Sequence, residues 1–485
     1  MTAYNPKSLK AEEFIHDGEI RDTLAYAEAN KNNRELIDAI LEKARPKKTE
    51  TGFVSAGLNH REASVLLACE DPEVIEQIYK IAEEIKLAYY GNRIVLFAPL
   101  YLSNYCVNGC VYCPYHLKNK RIPRKKLTQE EVRREVIALQ DMGHKRLAIE
   151  AGEDPVNNPI EYILACIKTI YSVHHKNGDI RRVNVNIAAT TVENYRKLKD
   201  AGIGTYILFQ ETYHKESYLQ LHPTGPKHDY NYHTEAMDRA MQGGIDDVGL
   251  GVLFGLELYK YEFAGLLMHA EHLEAAHGVG PHTISVPRLK RADDIDPDKF
   301  DNGISDDIFA KIIACIRIAV PYTGIINSTR ESESVRSRAL HLGVSQVSGG
   351  SRTSVGGYAG YSPEERPHDT EQFDVSDQRS LDEVVRWLRE NGHIPSFCTA
   401  CYREGRTGDR FMSLCKTGQI LNCCHPNALM TLSEYLEDYA SPETKDVGYK
   451  MVEKELDRIP KEKVRQIAED NIAAIKASNR RDFRF

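Results

Sequence analysis

The sequence predicts an α/β protein built on a (β/α)8 barrel of the TIM type, with a helical extension before it and a smaller module after it. From about residue 90 onward, eight short apolar segments alternate with amphipathic helical segments. A polar or cysteine-rich cluster accompanies each segment, which is typical of a barrel whose strand ends carry the chemistry. The expected units are the N-terminal helical extension at 1–85, the barrel at 86–355 and the C-terminal module at 356–485.

The N-terminal extension is expected to be helical. Its residues are mostly charged, and Val74, Ile78, Ile81 and Ile85 recur three or four positions apart, which places them on one face of a helix. No catalytic motif is found in this stretch, so the sequence leaves its function open.

The barrel strands are predicted where apolar residues run together, as in parallel strands buried on both faces. The first helix between them is expected to begin at Thr128, which forms a capping box with Glu131, and to stop at Gly143. Another helix is expected from about Thr191 to Gly202. The eight predicted strands are residues 94–102, 146–151, 183–188, 205–209, 248–253, 282–286, 324–327 and 344–347.

Composition and charge exclude several classes of protein. The 485-residue chain has a formal net charge of −8 and no stripe of basic and aromatic residues, so nucleic-acid binding is not expected. The basic run at 118–126 is interpreted as a solvated loop near an anionic cofactor rather than an RNA-binding patch. No 18 apolar residues run together and no export signal is visible, so we expect a cytoplasmic protein without membrane association. Eleven cysteines in such a chain indicate metal ligands and buried thiols rather than disulfides.

The segment SNYCVNGCVYCPY holds three cysteines within eight residues, directly after the first predicted strand: Cys106, Cys110 and Cys113. Three thiolates can hold three corners of a cubic iron–sulfur cluster and leave its fourth iron open to a small molecule. The alternative is a zinc site with a distant fourth ligand, although zinc sites usually bring cysteines in C-x2-C pairs. The motif therefore favours a reactive iron–sulfur cluster.

A second group of cysteines lies in the C-terminal module. Cys398 and Cys401 form a C-x2-C pair, Cys424 follows after 22 intervening residues, and Cys415 and Cys423 lie nearby. Four of these thiols could close a structural zinc site, whereas three could hold a second cluster with an open iron. The spacing alone leaves both interpretations open.

The C-x3-C-x2-C spacing, with Tyr112 before the last cysteine, resembles that of the radical S-adenosylmethionine (SAM) enzymes. From about residue 88 to the terminal RDFRF, the chain resembles HydG, the family of tyrosine lyases that mature FeFe-hydrogenases. The resemblance implies a radical SAM barrel with a cluster-binding C-terminal module. It is carried by SNYCVNGCVYCPY, RRVNVNIAATTVENY, LFQETYH, DDVGLGVLFGLELYKYE, GVGPHTISVPR and the tail CTACYREGRTGDRF with its two later adjacent cysteines.

The resemblance implies a SAM site at the first cysteine group. The three thiolates would hold a 4Fe–4S cluster whose fourth iron binds the amino and carboxylate groups of SAM. Gly152 and Glu153 stand where the family binds the methionyl ammonium, for which a carboxylate is a natural acceptor. Tyr112 would also contact the cofactor, and the strand end from Gly251 to Gly255 would lie along the adenine by backbone contact.

The resemblance also implies an auxiliary 4Fe–4S cluster on Cys398, Cys401 and Cys424, with Cys423 as an alternative third ligand. His282 matches the family position that binds an extra iron, which is joined to this cluster through a sulfur-bearing amino acid. A lone histidine is more often an ordinary core or strand-end residue, so this assignment depends on the family match and on the position at a barrel mouth.

The activity that the resemblance implies is cleavage of L-tyrosine at Cα–Cβ to p-cresol and dehydroglycine. Dehydroglycine would then give CO and cyanide, assembled on iron for the H-cluster of FeFe-hydrogenase. The implied partners are L-tyrosine, an electron donor such as ferredoxin or flavodoxin, and other hydrogenase maturases. Glu211 and Tyr213, at the end of the fourth predicted strand, are expected near the SAM methionine or the tyrosine ring.

Binding of tyrosine requires a cation for the substrate carboxylate. Arg330, with Ser328 beside it, is the predicted group, because a planar guanidinium suits a carboxylate. The alternative for Arg330 is an ion pair with Glu331 or Glu333 that only orders the loop.

Two other functions stay open at this point. The tyrosine lyase of thiamine biosynthesis (2-iminoacetate synthase) shares the barrel and the first cysteine motif, but it lacks the second cysteine group and stops at dehydroglycine. A non-catalytic iron–sulfur or zinc-binding protein would consume no SAM. The C-x2-C pair and Cys424 in the tail favour the HydG-type activity over both.

Overall fold

The N-terminal extension is helical, as predicted, in a computed structural model that describes residues 3–49, 52–359 and 371–485. Its last helix buries Val74, Ile78, Ile81 and Ile85 along one face. The extension comprises α1 (Ala11–Phe14), α2 (Asp17–Asn30), α3 (Arg34–Ala44), β1 (Lys47–Thr49), β2 (Gly52–Val54), α4 (His60–Ala68) and α5 (Pro72–Tyr90).

Eight parallel strands form a closed barrel, in which the last strand pairs with the first through Val347 opposite Leu96. All eight overlap the predicted strands, because strands buried on both faces are visible in the sequence as continuous apolar segments. They are β3 (Arg93–Ser103), β4 (Arg146–Ala151), β7 (Arg182–Asn186), β8 (Tyr206–Ile207), β9 (Val248–Gly251), β10 (Thr283–Ser285), β11 (Gly324–Asn327) and β12 (Gln346–Ser348), with a small hairpin of β5 (His174–His175) and β6 (Gly178–Asp179).

Helices follow the barrel strands on the outside of the sheet. The predicted capping box of Thr128 and Glu131 is present, and Thr191 caps its helix by accepting a hydrogen bond from the Asn194 backbone. The helices are α6 (Gln129–Asp141), α7 (Ile160–Ser172), α8 (Val192–Asp200), α9 (Lys215–Leu221), α10 (Tyr230–Thr234), α11 (Ala236–Gln242), α12 (Tyr259–His277), α13 (Asp306–Ala319) and α14 (Glu333–Leu342), with 3₁₀ turns at Pro226–His228 and Pro297–Lys299.

The C-terminal module joins the barrel sheet through a ninth strand, β13 (Ile394–Ser396), which the sequence did not predict. This strand pairs in parallel with the start of β3, with Ile394 opposite Arg93. One continuous apolar core extends from Phe14 in the extension to Ile475 near the C-terminus. The helices of the module are α15 (Leu381–Glu390), α16 (Ala400–Arg403), α17 (Gly408–Lys416), α18 (Leu421–Asp438), α19 (Pro442–Leu456) and α20 (Glu462–Ala477).

The polar composition of residues 361–378 predicts a linker or a surface excursion. Residues 361–370 lie outside the described residues, whereas the remainder packs on the barrel. The backbone N–H groups of Ser376 and Asp377 donate to the Thr329 carbonyl, at 3.0 and 3.1 Å. The Asp377 carboxylate is buried against Arg336 of α14. No described helix is long and apolar enough to cross a membrane.

We expect Asp377→Ala to lower the free energy of unfolding by about 3–5 kcal/mol, because it leaves the buried Arg336 without its counter-charge. The matched control is Asp307→Ala, which removes the partner of Arg338 on the same helix. The first pair is buried, with side chains 0% and 2% exposed. The side chains of Arg338 and Asp307 are 41% and 83% exposed. Loss of this pair should therefore lower the free energy of unfolding by less than about 1 kcal/mol. Melting temperatures of anaerobically prepared protein compare the two, and equal losses would contradict the anchoring role of Asp377.

Candidate active site

The first cysteine group lies at the carboxyl-end mouth of the barrel, in the loop that follows β3. Cys106, Cys110 and Cys113 line a cavity of about 160 Å³. Burial raises the pKa of all three thiols, that of Cys113 to about 12. The thiols therefore keep their protons until a metal displaces them, as thiolate ligands require.

This cysteine loop is held in place by Arg124, which comes from the basic run that we expected to be a solvated loop. The Arg124 guanidinium donates to the backbone carbonyls of Asn104, Tyr115, His116 and Asn119, at 2.6, 2.8, 2.8 and 3.2 Å. Five N–H donors in a fixed plane suit this task. The prediction of a solvated loop is therefore wrong for Arg124.

Glu153 lies beside the cysteine loop, where the methionyl ammonium of SAM was predicted to bind. The Asn108 side-chain amide donates to its carboxylate at 2.6 Å, and Asn108 Oδ1 accepts from the Lys227 backbone N–H at 2.9 Å. Burial raises the pKa of Glu153, so a cation is the partner that would stabilise its charged form. Gly152 allows the cysteine loop to lie close to the backbone beside Glu153, because a Cβ at residue 152 would lie 2.4 Å from the Tyr105 carbonyl.

Tyr112 lines the same cavity and has a fixed orientation. His222 Nδ1 lies 2.7 Å from the Tyr218 carbonyl, which can only accept, so Nδ1 carries the proton. His222 Nε2 therefore accepts from the Tyr112 hydroxyl, at 2.6 Å.

Gly251 and Gly255, predicted to lie along the adenine, flank Leu253, and Leu253 is the residue of this segment that lines the cavity. A Cβ at Gly251 would lie 2.4 Å from the ring of Phe209, another cavity residue. Gly255 has φ +115°, which a side chain would disfavour. The adenine assignment stays a prediction.

Glu211 lines the cavity at the end of the fourth barrel strand, as expected. Its carboxylate pairs with Lys227 at 2.8 Å, and its backbone has φ +70°, a strained conformation of the kind found at functional sites. Tyr213 is placed differently, because its buried hydroxyl bonds to His269 Nδ1 at 3.0 Å, outside the cavity. The expectation of a cavity position for Tyr213 is wrong.

Arg330 and Ser328 lie where the cavity continues into the barrel interior as a second space of about 90 Å³. The Arg330 guanidinium lies over the ring of Phe373, 3.5 Å from its centroid. Phe373 belongs to the segment after residue 370, so that segment forms part of the cavity wall.

The two carboxylates considered as alternative partners of Arg330 pair with other arginines instead. Glu331 accepts from Arg288 at 3.0 Å, and Glu333 pairs with Arg379 at 3.1 Å. Across 3–49, 52–359 and 371–485 no carboxylate pairs with Arg330, which leaves its N–H donors facing the cavity.

The second cysteine group lies at the opposite mouth, at the amino ends of the strands. Cys398, Cys401 and Cys424 line a cavity of about 50 Å³ together with His282. The polar segment 281–288 is one of the clusters that a barrel predicts at the carboxyl ends of its strands. This prediction is wrong for His282, which precedes β10. Cys423 does not line this cavity, so the geometry favours Cys424 as the third ligand.

The spacing of the sulfur atoms distinguishes zinc from a larger cluster. A tetrahedral zinc with bonds of 2.3 Å holds its sulfurs about 3.8 Å apart. Among the described residues, no three cysteine sulfurs in either group lie within 4.8 Å of one another. Cys415, a possible fourth zinc ligand, does not line the cavity that Cys398, Cys401 and Cys424 share. The thiols of the described residues therefore do not converge closely enough at either site for a single tetrahedral zinc with three cysteine ligands.

The thiols of the second group lie in a positive environment. A hydrogen bond from Cys424 and the nearby Arg406 guanidinium lower the pKa of Cys401 to about 6. Arg93 and Arg146 line the same cavity, and their buried Nε atoms have no hydrogen-bond partner in the described part of the chain. Such unpaired donors suit an anionic group. The sequence signal for them was an arginine at the first position of β3, β4 and β7.

Sequence reasoning also missed the residues that contact the His282 ring. The Tyr402 hydroxyl lies 3.0 Å from His282 Nε2, and the Asp247 carboxylate lies 3.4 Å from Nδ1. A carboxylate behind a histidine is the usual arrangement that orients a metal-binding imidazole.

Comparison with known proteins shows the family to which the chain belongs. A model of the radical SAM superfamily matches residues 100–264, and a model of the biotin and thiamin synthesis associated domain matches 285–394. The crystal structure of HydG, a maturase of the FeFe-hydrogenase, is 55% identical, covers 97% of this chain and 100% of that chain, and has a TM-score of 0.92.

Two further relatives are similar to the chain. The FeFe-hydrogenase maturase HydG from Carboxydothermus hydrogenoformans is 38% identical, with coverage of 95% of this chain and 99% of that chain and a TM-score of 0.81. The 2-iminoacetate synthase of Salmonella typhimurium is 29% identical over 348 residues, 71% of this chain and 88% of that protein. The chain therefore belongs to the HydG family of FeFe-hydrogenase maturases, radical SAM enzymes related to 2-iminoacetate synthase.

Proposed function

We propose that this protein cleaves L-tyrosine at Cα–Cβ to p-cresol and dehydroglycine, and then converts dehydroglycine to CO and cyanide for assembly on iron. The observation that carries this proposal is the pair of cavities at opposite mouths of one barrel, each lined by three thiols. A single-cluster lyase has no use for the second thiol group.

Cys106, Cys110 and Cys113 would hold the 4Fe–4S cluster that radical SAM enzymes use, and Glu153 would accept from the methionyl ammonium of SAM. When bound, this cluster supplies the electron that cleaves SAM to methionine and the 5′-deoxyadenosyl radical. Tyr112 forms part of the cavity wall, and the hydrogen bond to His222 fixes the orientation of its ring. The chain's task at this mouth is to orient SAM and exclude water.

Arg330 is the group proposed to bind the tyrosine carboxylate. Its guanidinium is fixed by stacking on Phe373 and is not paired with a carboxylate of the described chain, so its planar donors are free for a two-point contact. Ser328 lies beside it and can donate one more hydrogen bond. The substrate would then lie between the SAM site and the barrel interior.

Cleavage requires loss of a hydrogen atom from the tyrosine amino group, after which the Cα–Cβ bond breaks. The released hydroxybenzyl radical needs one electron and one proton to become p-cresol. Glu150 lines both connected cavities, and burial raises the pKa of its carboxyl well above the usual range. Burial therefore favours the protonated form of Glu150, and this side chain is placed to supply a proton.

Dehydroglycine, HN=CH–COO⁻, has the composition of cyanide, CO and water, so its breakdown needs no external oxidant or reductant. We place this step at the second mouth, where Cys398, Cys401 and Cys424 would hold the auxiliary cluster and His282 the extra iron. Arg93 and Arg146 bring positive charge to that cavity, which favours the anionic dehydroglycine and cyanide.

The second candidate function is that of 2-iminoacetate synthase, since a relative of that name is 29% identical to this chain over 348 residues. That activity also cleaves tyrosine, but it ends at dehydroglycine. Electron donors such as ferredoxin or flavodoxin, and the other maturases, are proposed partners on the family resemblance alone.

A single assay tests the whole proposal. Protein reconstituted anaerobically with iron and sulfide is incubated with SAM, L-tyrosine and dithionite, and p-cresol, CO and cyanide are measured together. We expect all three products. Cresol without either diatomic product would indicate the thiamine-type lyase, and no cresol at all would overturn both lyase proposals.

We expect Cys424→Ser to retain p-cresol formation while CO and cyanide fall at least tenfold, because only the second cavity loses a ligand. Cys423→Ser is the matched control, since its sulfur does not line that cavity. Iron content should fall in the first variant and stay unchanged in the second. The reverse result would make Cys423 the ligand.

We expect Arg330→Gln to raise the KM for tyrosine roughly 10- to 150-fold, the equivalent of a charge-assisted hydrogen bond of about 1.5–3 kcal/mol. Cleavage of SAM in the absence of tyrosine should be unchanged. Arg291→Gln, which removes an exposed pair with Asp296, is the control. An unchanged KM in the Arg330 variant would exclude a contact with the carboxylate.

A further inference from the structure

Asp238, His272 and His277 form a cluster on the outer side of the barrel, away from both cysteine-lined cavities. Asp238 lies on α11, and both histidines lie on α12. Their three ligand atoms lie within 4.8 Å of one another, the one such group among the described residues. The catalytic proposal above uses none of these side chains.

The two imidazole rings converge on a single carboxylate oxygen. His272 Nε2 lies 2.9 Å from Asp238 Oδ1, and His277 Nε2 lies 2.6 Å from the same atom. The side chains of His272 and Asp238 are 0% and 3% exposed. His277 is 18% exposed, so the cluster is buried but can be reached from solvent at one side.

The hydrogen bonding of His272 determines what Nε2 can do. Its Nδ1 lies 2.8 Å from the Pro6 carbonyl, which can only accept, so Nδ1 carries a proton. Nε2 is therefore the ring nitrogen that faces the carboxylate oxygen, and this contact requires either a proton or a metal ion between the two atoms. A histidine whose second nitrogen donates to a backbone carbonyl is the common form of a metal ligand.

The second oxygen of Asp238 points to the same conclusion. Oδ2 is buried and has no hydrogen-bond partner in the described chain. Buried carboxylate oxygens are nearly always satisfied, by protein, water or an ion. A buried and half-unsatisfied carboxylate beside two imidazole nitrogens is therefore an incomplete coordination shell.

We propose that Asp238, His272 and His277 bind a divalent transition-metal ion, independently of the lyase activity. Two imidazoles and one carboxylate suit Zn²⁺ or Fe²⁺, and for a given site of this kind zinc binds more tightly than ferrous iron. Bonds of about 2.0–2.1 Å place tetrahedral ligands about 3.3 Å apart, so the ligand atoms need to separate by less than about 1 Å.

The metal fastens the N-terminal segment to the barrel. His272 holds the Pro6 carbonyl, and the ring of Phe14 stacks on its imidazole with centroids 3.8 Å apart and planes 9° apart. Next to the cluster, Glu235 accepts from the Ala11 backbone at 2.9 Å. Fixing the His272 ring therefore fixes the segment from Pro6 to Phe14, since ligand binding stabilises the state that binds.

Zinc sulfate added to full-length, cluster-loaded protein tests the site, followed by desalting, metal analysis and X-ray absorption at the zinc edge, where iron does not interfere. We expect about one zinc per chain with nitrogen and oxygen neighbours at about 2.0–2.1 Å. Sulfur neighbours at about 2.3 Å would place the zinc on the cysteines and overturn the proposal. Absence of retained zinc would overturn it as well.

Two conservative variants assign the ligands. Asp238→Asn and His277→Gln should each reduce retained zinc at least tenfold, whereas His341→Gln, a partly exposed histidine paired with Glu83, should retain it. Zinc should also slow hydrogen exchange in residues 3–16 of the parent protein and not of the variants. Unchanged p-cresol formation shows that the variants fold, and it separates failure of this site from failure of the lyase proposal. Equal zinc retention in all variants would refute the assignment.

Discussion

Strand β3 hydrogen-bonds to three other strands, and this pairing determines where both cysteine-lined cavities lie. Its first residues pair with β13, its middle residues with β12 and its last residues with β4. Cys398 follows β13 and Cys106 follows β3, so the first ligand of each group sits on one hydrogen-bonded frame. Eleven residues of strand extend about 33–36 Å. The two groups are therefore held at opposite mouths, and neither can approach the other without breaking the barrel.

The two mouths balance charge differently. At the carboxyl-end mouth, carboxylates and cations alternate around the thiols, with Glu153 near the cysteine loop and Glu211 paired with Lys227. At the amino-end mouth, arginines from the starts of β3 and β4 face the thiols. A site with both signs of charge suits a zwitterionic cofactor and substrate, whereas an arginine-rich site suits anions.

The features that could be predicted from the sequence are those determined by interactions between residues close together in the chain. Eight apolar runs and two helix caps identified the barrel, because burial on both faces and capping leave signals within a few residues. Strand β13 was missed because its three residues include Pro395 and its pairing partner lies about 300 residues earlier. Local sequence contains no information on such a distant pairing.

The residues of the candidate sites also fall into two groups, those recognisable from the local sequence and those brought together only by the fold. Closely spaced cysteines were recognisable, whereas Arg93, Arg146 and Tyr402 are single residues whose role depends on the fold bringing them to one mouth. His282 was expected with the carboxyl-end clusters, since barrel chemistry usually lies there. At the amino-end mouth, His282 lines one cavity with three thiols of the C-terminal module.

The segment after residue 370 gives the first cavity a wall that is not part of the barrel. Phe373 stacks on Arg330, while Asp377 ties the same segment to α14. The residue that contacts the proposed substrate-binding arginine and the residue that secures the segment are thus separate. Replacement of the aromatic side chain could retune which amino acid the pocket accepts, while the eight strands and both thiol groups keep their positions.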